Sequence, residues 1–235
     1  MEKDILATRE KLYQMLEPSG WAVPLRTFIK SDDFLVILNS LYEQSIDGKK
    51  FTPKLSQVFK AFMECPYDKL KVVMIGQDPY PQLGIADGIA FSCSVEKDYK
   101  QPSLAQMFGE LKRTVYKDQP YEENGDLVRW SNQGVLLINT ALTTSIGTPG
   151  THQLLWRPFI GFLLDHLVWT GSRKVYAFLG KKAQDFMDIV PDNNLKIAVT
   201  HPASASYSDT IWDGKDIFLR INEYCETEFN TKIIW

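Results

Sequence analysis

The chain has 235 residues, 44% hydrophobic, 23% charged and 12% aromatic, a composition that excludes disordered and fibrous proteins and leaves room for a substantial core. Its formal net charge of −3 argues against indiscriminate polyanion binding, which needs a broad basic surface. The charged N-terminus, MEKDILATREKLYQ, lacks the apolar run of a leader and no window is long enough to span a bilayer, so an intracellular protein, cytoplasmic or nuclear and not membrane-bound, is expected.

Taken in order, residues 3–16 and 31–46 show helical spacing of apolar residues, with Ser31, Asp32 and Asp33 offering an N-cap to the second. Residues 54–63 read as a short amphipathic helix ended by Pro66. Residues 71–75 then form a continuous apolar run typical of a strand covered on both faces. Gly76 lets the chain leave the sheet, and Pro79 and Pro81 stiffen the turn that carries Gln77, Asp78 and Tyr80. GIAFS, from Gly88, is a short apolar piece, and Pro102 and Ser103 open a helix to about Tyr116. A second buried strand over 134–138 ends at Asn139, and a long apolar helix covers 156–170. A third strand, 174–179, runs through Gly180 and Lys181 into a helix. A fourth, 195–200, ends at His201-Pro202, before a last helix over 213–227. No linker divides the chain, so one domain over 1–235 is expected, with residues 1–50 as helices packing on it. Cys65, Cys93 and Cys225 are odd in number and lack paired spacing, which reads as reduced, packed thiols.

Strands alternating with helical stretches of this length predict right-handed crossovers and an α/β fold with three layers, a central, mostly parallel four-stranded sheet between helices. All strand carboxyl ends then meet along one edge, where open α/β sheets bind ligands. Asp78, Asn139, Lys181 and His201 are expected to converge there. A carboxylate, a carboxamide and an imidazole, with no serine or cysteine in a nucleophile elbow, do not make a hydrolase triad. The chain contains neither GxxxxGK[ST] nor GxGxxG, which disfavours a phosphate-cradling nucleotide site. One His with one Asp is too few ligands for a metal, and no cofactor is expected. Each residue also has a plain structural reading: Asp-Pro-Tyr-Pro as a turn, Phe91 as core, Asn139 and His201 as strand-end residues satisfied by backbone.

GQDPYP, GIADGIAFS, QPSL, GVLLINTALT and the HP before a tyrosine-containing loop together resemble family 1 uracil-DNA glycosylase, in family order from about Phe51 to Trp235. The resemblance implies that Asp78 orients or deprotonates the attacking water, that Tyr80 fills the space of a thymine methyl, and that Phe91 stacks on an extruded uracil. It implies that Asn139 reads the O4 and N3 edge of the base, that His201 hydrogen-bonds O2, and that backbone near Gln77 binds the same oxygen. Ser103, Ser204 and Ser206 would hold the DNA backbone, with Ala205 or Tyr207 at the position of the side chain that enters the vacated base site. The implied partners are single- and double-stranded DNA containing uracil and an inhibitor protein that mimics uracil or DNA, with the enzyme acting as a monomer. The sequence departs from the family pattern at Pro81-Gln82-Leu83, where His-Gly-Pro is usual, at Asp87 for a His, at Leu179 for a Trp, and in HPASASYS, where Ala203 and Ala205 replace a serine and a leucine. This points to a divergent member. Two other readings stay open at this stage: a DNA-binding or replication scaffold with the same fold and weak activity, and a glycosylase for another modified pyrimidine.

Overall fold

The computed structural model of the chain describes residues 2–95, 101–117, 119–170, 172–207 and 210–235. Three helices lead, α1 (Glu2–Gln14), α2 (Ala22–Ile29) and α3 (Asp32–Ile46). Ser31 caps α3 as expected, its hydroxyl accepting from the Phe34 N–H. There follow β1 (Phe51–Thr52), α4 (Lys60–Glu64), β2 (Val72–Gly76), α5 (Pro102–Leu111), α6 (Val128–Ser131) and β3 (Val135–Asn139). The chain then forms β4 (Thr144–Ser145), α7 (Gln153–Trp169), β5 (Val175–Leu179), α8 (Lys181–Gln184), β6 (Leu195–Val199), α9 (Ala203–Tyr207) and α10 (Ile217–Phe229).

The main sheet has the order β3-β2-β5-β6 and every pairing in it is parallel. Its strands β2, β3 and β5 are buried at all five positions, which is why they read as unbroken apolar runs rather than alternating ones. α4 and α6 pack near β3, α8 and α10 against β5, and α2 and α3 against α7. The apolar residues of the leading helices, among them Leu12, Leu25 and Phe34, belong to the same continuous cluster as the sheet residues. β1 and β4 make a separate antiparallel ribbon.

Several boundaries differ from the sequence expectations for identifiable reasons. The helix expected over 54–63 is a 3₁₀ turn, Leu55–Gln57, followed by α4, because the backbone at the fully buried Phe59 leaves helical geometry at φ −107°, ψ 15°. α5 stops at Leu111 and continues as a π-helical turn, Lys112–Tyr116. α10 starts at Ile217 rather than Asp213 because Lys215 and Asp216 take positive φ, 51° and 56°, a conformation incompatible with a right-handed helix.

Candidate active site

At the carboxyl edge of the sheet lies a cavity of about 450 Å³, lined by Gln77, Asp78, Tyr80, Phe91, Ser103, Asn139, His201 and Ser204 together with Pro81, Gln82, Gly88, Ile89, Ala90 and Pro149. Asn139, the last residue of β3, stands beside Gly76, the last of β2, in the parallel register. It is buried, and its carboxamide makes no hydrogen bond to another described residue, so its donor and acceptor are available to a ligand. A Cβ on Gly76 would lie 2.8 Å from Phe91 Cζ and nearer still to Asn139 Oδ1. Only glycine lets both groups lie across the end of β2.

Asp78 is held from two sides. Gln77 Nε2 donates to its Oδ2 at 2.9 Å and Gln153 Nε2 to its Oδ1 at 2.5 Å. Gln153, the first residue of α7, also donates to the Gln77 carbonyl at 2.9 Å, and its Oε1 accepts from Thr140 Oγ1 at 3.0 Å. Each carboxylate oxygen keeps a lone pair for a further donor such as water. Gln153 and Thr140 were not singled out in the sequence; nothing distinguishes a glutamine in the first turn of a helix until the fold brings it to Asp78.

Tyr80 is fixed by its hydroxyl, which donates to the Phe91 carbonyl at 2.8 Å and lies 3.2 Å from Ser103 Oγ. Burial pushes its phenol well above the ordinary range. Phe91 itself sits at φ +65°, a rare conformation for a bulky residue that persists only where surrounding structure enforces it. Its ring centroid lies 5.8 Å from that of His201 at a 37° tilt.

His201 Nδ1 accepts the Ala203 N–H at 3.3 Å, which assigns the ring proton to Nε2 and leaves a neutral imidazole with one donor for the cavity. Burial agrees, lowering the ring's pKa to about 4. Gly180, at the end of β5 with φ +94°, makes room: a Cβ there would lie 2.9 Å from His201 Cβ.

The remaining expected residues divide. Ser204 and Ser206 are exposed and tie neighbouring segments, Ser204 Oγ donating to the His201 carbonyl at 2.7 Å and Ser206 Oγ to the Pro102 carbonyl at 3.4 Å. Ala205 is 5% exposed, its methyl directed into protein. The Tyr207 side chain lies outside the described residues. Lys181 is exposed and does not line the cavity, because Gly180 turns the chain directly into α8. His152, in the turn before α7, is buried and bonded at 2.8 Å to both Thr143 and Gln44. Among the described residues no group of three or more His, Cys, Asp or Glu is placed to hold a metal ion, and no helix is long and apolar enough to cross a membrane.

The profile of the Uracil DNA glycosylase superfamily matches residues 62–226. A uracil-DNA glycosylase of Bacteroides thetaiotaomicron is 34% identical over 219 residues, 92% of this chain and 97% of that protein. One from Azotobacter vinelandii is 34% identical over 92% of this chain and 93% of its own length. The crystal structure of mimivirus uracil-DNA glycosylase superposes with a TM-score of 0.83 over 95% of this chain and 88% of the viral one; at 23% identity that likeness concerns the fold. A mimivirus UNG variant crystallised in complex with UGI gives a TM-score of 0.81 at 24% identity, over 91% of this chain and 86% of that one. With this profile over most of its length and these relatives covering nearly all of it, the chain belongs to the uracil-DNA glycosylase superfamily.

Proposed function

We propose that this protein hydrolyses the N-glycosidic bond of uracil flipped out of DNA, leaving an abasic site, as a monofunctional glycosylase acting in DNA repair. The observation that carries the reading is the meeting, around one cavity, of a carboxylate held at both oxygens, an unengaged carboxamide, an aromatic ring and a neutral imidazole with its Nε2 proton free. In this reading uracil lies against the Phe91 ring, and Asn139 donates to O4 and accepts from N3–H. Tyr80, anchored at its hydroxyl, occupies the space beside C5. As the bond between C1′ and N1 breaks, its electron pair passes to the base and is held at O2 by the His201 Nε2–H. The positive charge left on the sugar faces Asp78. Water then adds to C1′ and gives its proton to Asp78. Fixed donors aimed at the place where charge develops lower such barriers by several kcal/mol, because they need no reorganisation during reaction.

The continuous core joining the leading helices to the sheet supports a single domain acting as one unit. An inhibitor protein of the kind bound to the mimivirus relative would occupy the same cavity mouth in competition with single- or double-stranded DNA. The test is release of uracil from a labelled oligonucleotide in the presence of EDTA, beside thymine and cytosine substrates. Uracil release alone is expected, and no release of uracil would refute the assignment.

A further inference from the structure

We infer that Asp87 is a positioning residue for the Phe91 ring and that Lys60 is the cation that holds it in place; this rests on the reading above, in which Phe91 is the stacking platform for uracil. Residues 88–91 form one wall of the cavity. The two residues that bracket this wall bond to each other across its neck, Ser92 Oγ donating to Asp87 Oδ2 at 2.8 Å. Asp87 Oδ1 accepts the Ile89 N–H at 3.1 Å, inside the same turn. From outside the turn, Lys60 Nζ, at the start of α4, reaches Asp87 Oδ2 at 3.2 Å. Asp87 is 3% exposed, so a charge there requires a partner.

Three donors converge on Asp87, and each needs an acceptor. An amide in its place would turn an NH₂ group toward the ammonium or the amide N–H. Beyond the neck the turn has little freedom. A Cβ at Gly88, φ +94°, would run into the Gln57 carbonyl, the Ala90 N–H is bound by the Leu137 carbonyl at 3.1 Å, and the Phe91 carbonyl is bound by Tyr80. The positive φ of Phe91 is therefore maintained by contacts at both ends of a closed turn, and the Asp87 clasp is the end that contains no residue of the proposed chemistry. Asp87 is also where the family pattern usually has a histidine, so here an ion pair between two chain segments does the closing.

The test uses direct calorimetric titration of free uracil, which does not depend on turnover, together with steady-state kinetics on single-stranded uracil DNA and thermal melting. Lys60→Met is expected to weaken uracil binding and raise KM by about 10-fold, within the range that one base–aromatic stack is worth, with kcat changed far less. Lys60→Arg is expected to restore most of the affinity. In a Phe91→Ala background, Lys60→Met should weaken uracil binding no further, because the ring through which it acts is gone. Ser92→Ala, which opens the neck without leaving a buried charge unpaired, should shift affinity in the same direction by less, and supplies the answer if Lys60→Met does not fold. A lowered Tm with unchanged uracil affinity in both Lys60→Met and Ser92→Ala would overturn the inference, as would a loss of affinity that persists undiminished in the Phe91→Ala background. A wild-type protein that binds uracil but releases none from DNA would refute the proposed function while leaving these comparisons decisive.

Discussion

The sharpest test of the site is a methyl group at Gly76. The substitution Gly76→Ala adds one carbon at the end of β2, where the backbone is ordinary strand and carries no positive φ, so no conformational penalty accompanies it. The new Cβ would stand 2.8 Å from Phe91 Cζ and closer to Asn139 Oδ1. An ordinary contact begins near 3.4 Å, so the ring must retreat by about 0.6 Å and the carboxamide by more. Both groups that would hold uracil are displaced at once, and a misplacement of about 1 Å typically costs on the order of 100-fold in rate. We expect kcat/KM for uracil release to fall by about that factor. Overpacking a buried site costs about 1–3 kcal/mol, and in a chain of this size each kcal/mol lowers Tm by about 2–4 °C, so the protein should remain folded at 25 °C. Steady-state assays with circular dichroism and a thermal melt decide the matter. A folded Gly76→Ala protein with wild-type kcat/KM would show that neither Phe91 nor Asn139 holds the base.

Three further outcomes follow from the same geometry. Gln153→Leu removes the donor at Asp78 Oδ1 and the link to Thr140; kcat should drop roughly 10-fold with KM little changed, since a loosely held group loses alignment rather than binding, and a pure KM effect in steady-state assays would contradict this. Burial holds His201 near 4 and lowers His152 as well, so unfolded chains take up protons that the folded ones refuse. Stability should therefore be level above the ordinary histidine value of about 6.5 and fall as pH drops from there toward 4; in thermal melts across this window His201→Gln should show a shallower fall, and identical slopes would refute the buried neutral ring. Ala205→Leu places three more carbons at a position that is 5% exposed, so it should destabilise by about 1–3 kcal/mol without raising activity on duplex over single-stranded uracil DNA. A selective duplex gain at unchanged Tm would instead put this position in the helix of the DNA.

Strands β2, β3 and β5 were legible because burial on both faces leaves apolar runs that end abruptly at Gly76, Asn139 and Gly180, whereas the partly buried edge strand β6, which carries Lys196, was marked by its stop at His201-Pro202. The parallel arrangement followed from the length of the crossovers, and with it the meeting of Asp78, Asn139 and His201. Lys181 does not join them, since the end of a strand places the backbone and not the direction in which the next turn of helix sends a side chain. Gln153 and Asp87 were invisible as site-shaping residues for a different reason. Their significance lies in partners contributed by other segments of the chain, Asp78 for Gln153 and Lys60 for Asp87, and such pairings have no periodicity. The late start of α10 depends on positive φ at Lys215 and Asp216, two residue types that sit equally well in a helix. The ribbon of β1 and β4, two residues per strand, is too short to register as a pattern.

The strand order has a consequence for how the protein comes into being. Asp78 follows β2 and Asn139 ends β3, neighbours in the sheet, but His201 follows β6, which pairs with β5 alone at the far edge and approaches the others through the gap that Gly180 leaves. β5 and β6 are joined by the shortest crossover in the sheet, Val175 pairing with Leu195, whereas β2 meets β5 across the longest, Val72 with Val175. The union of β2 with β5 is therefore closed late, because the chain pays loop entropy before it gains those contacts. A nascent or refolding molecule can thus hold both halves of the sheet, β2 with β3 and β5 with β6, while Asp78 and Asn139 on one half have yet to meet His201 on the other. The return of catalysis then times the joining of β2 to β5, and partly folded chains on the way there carry no active cleft toward DNA.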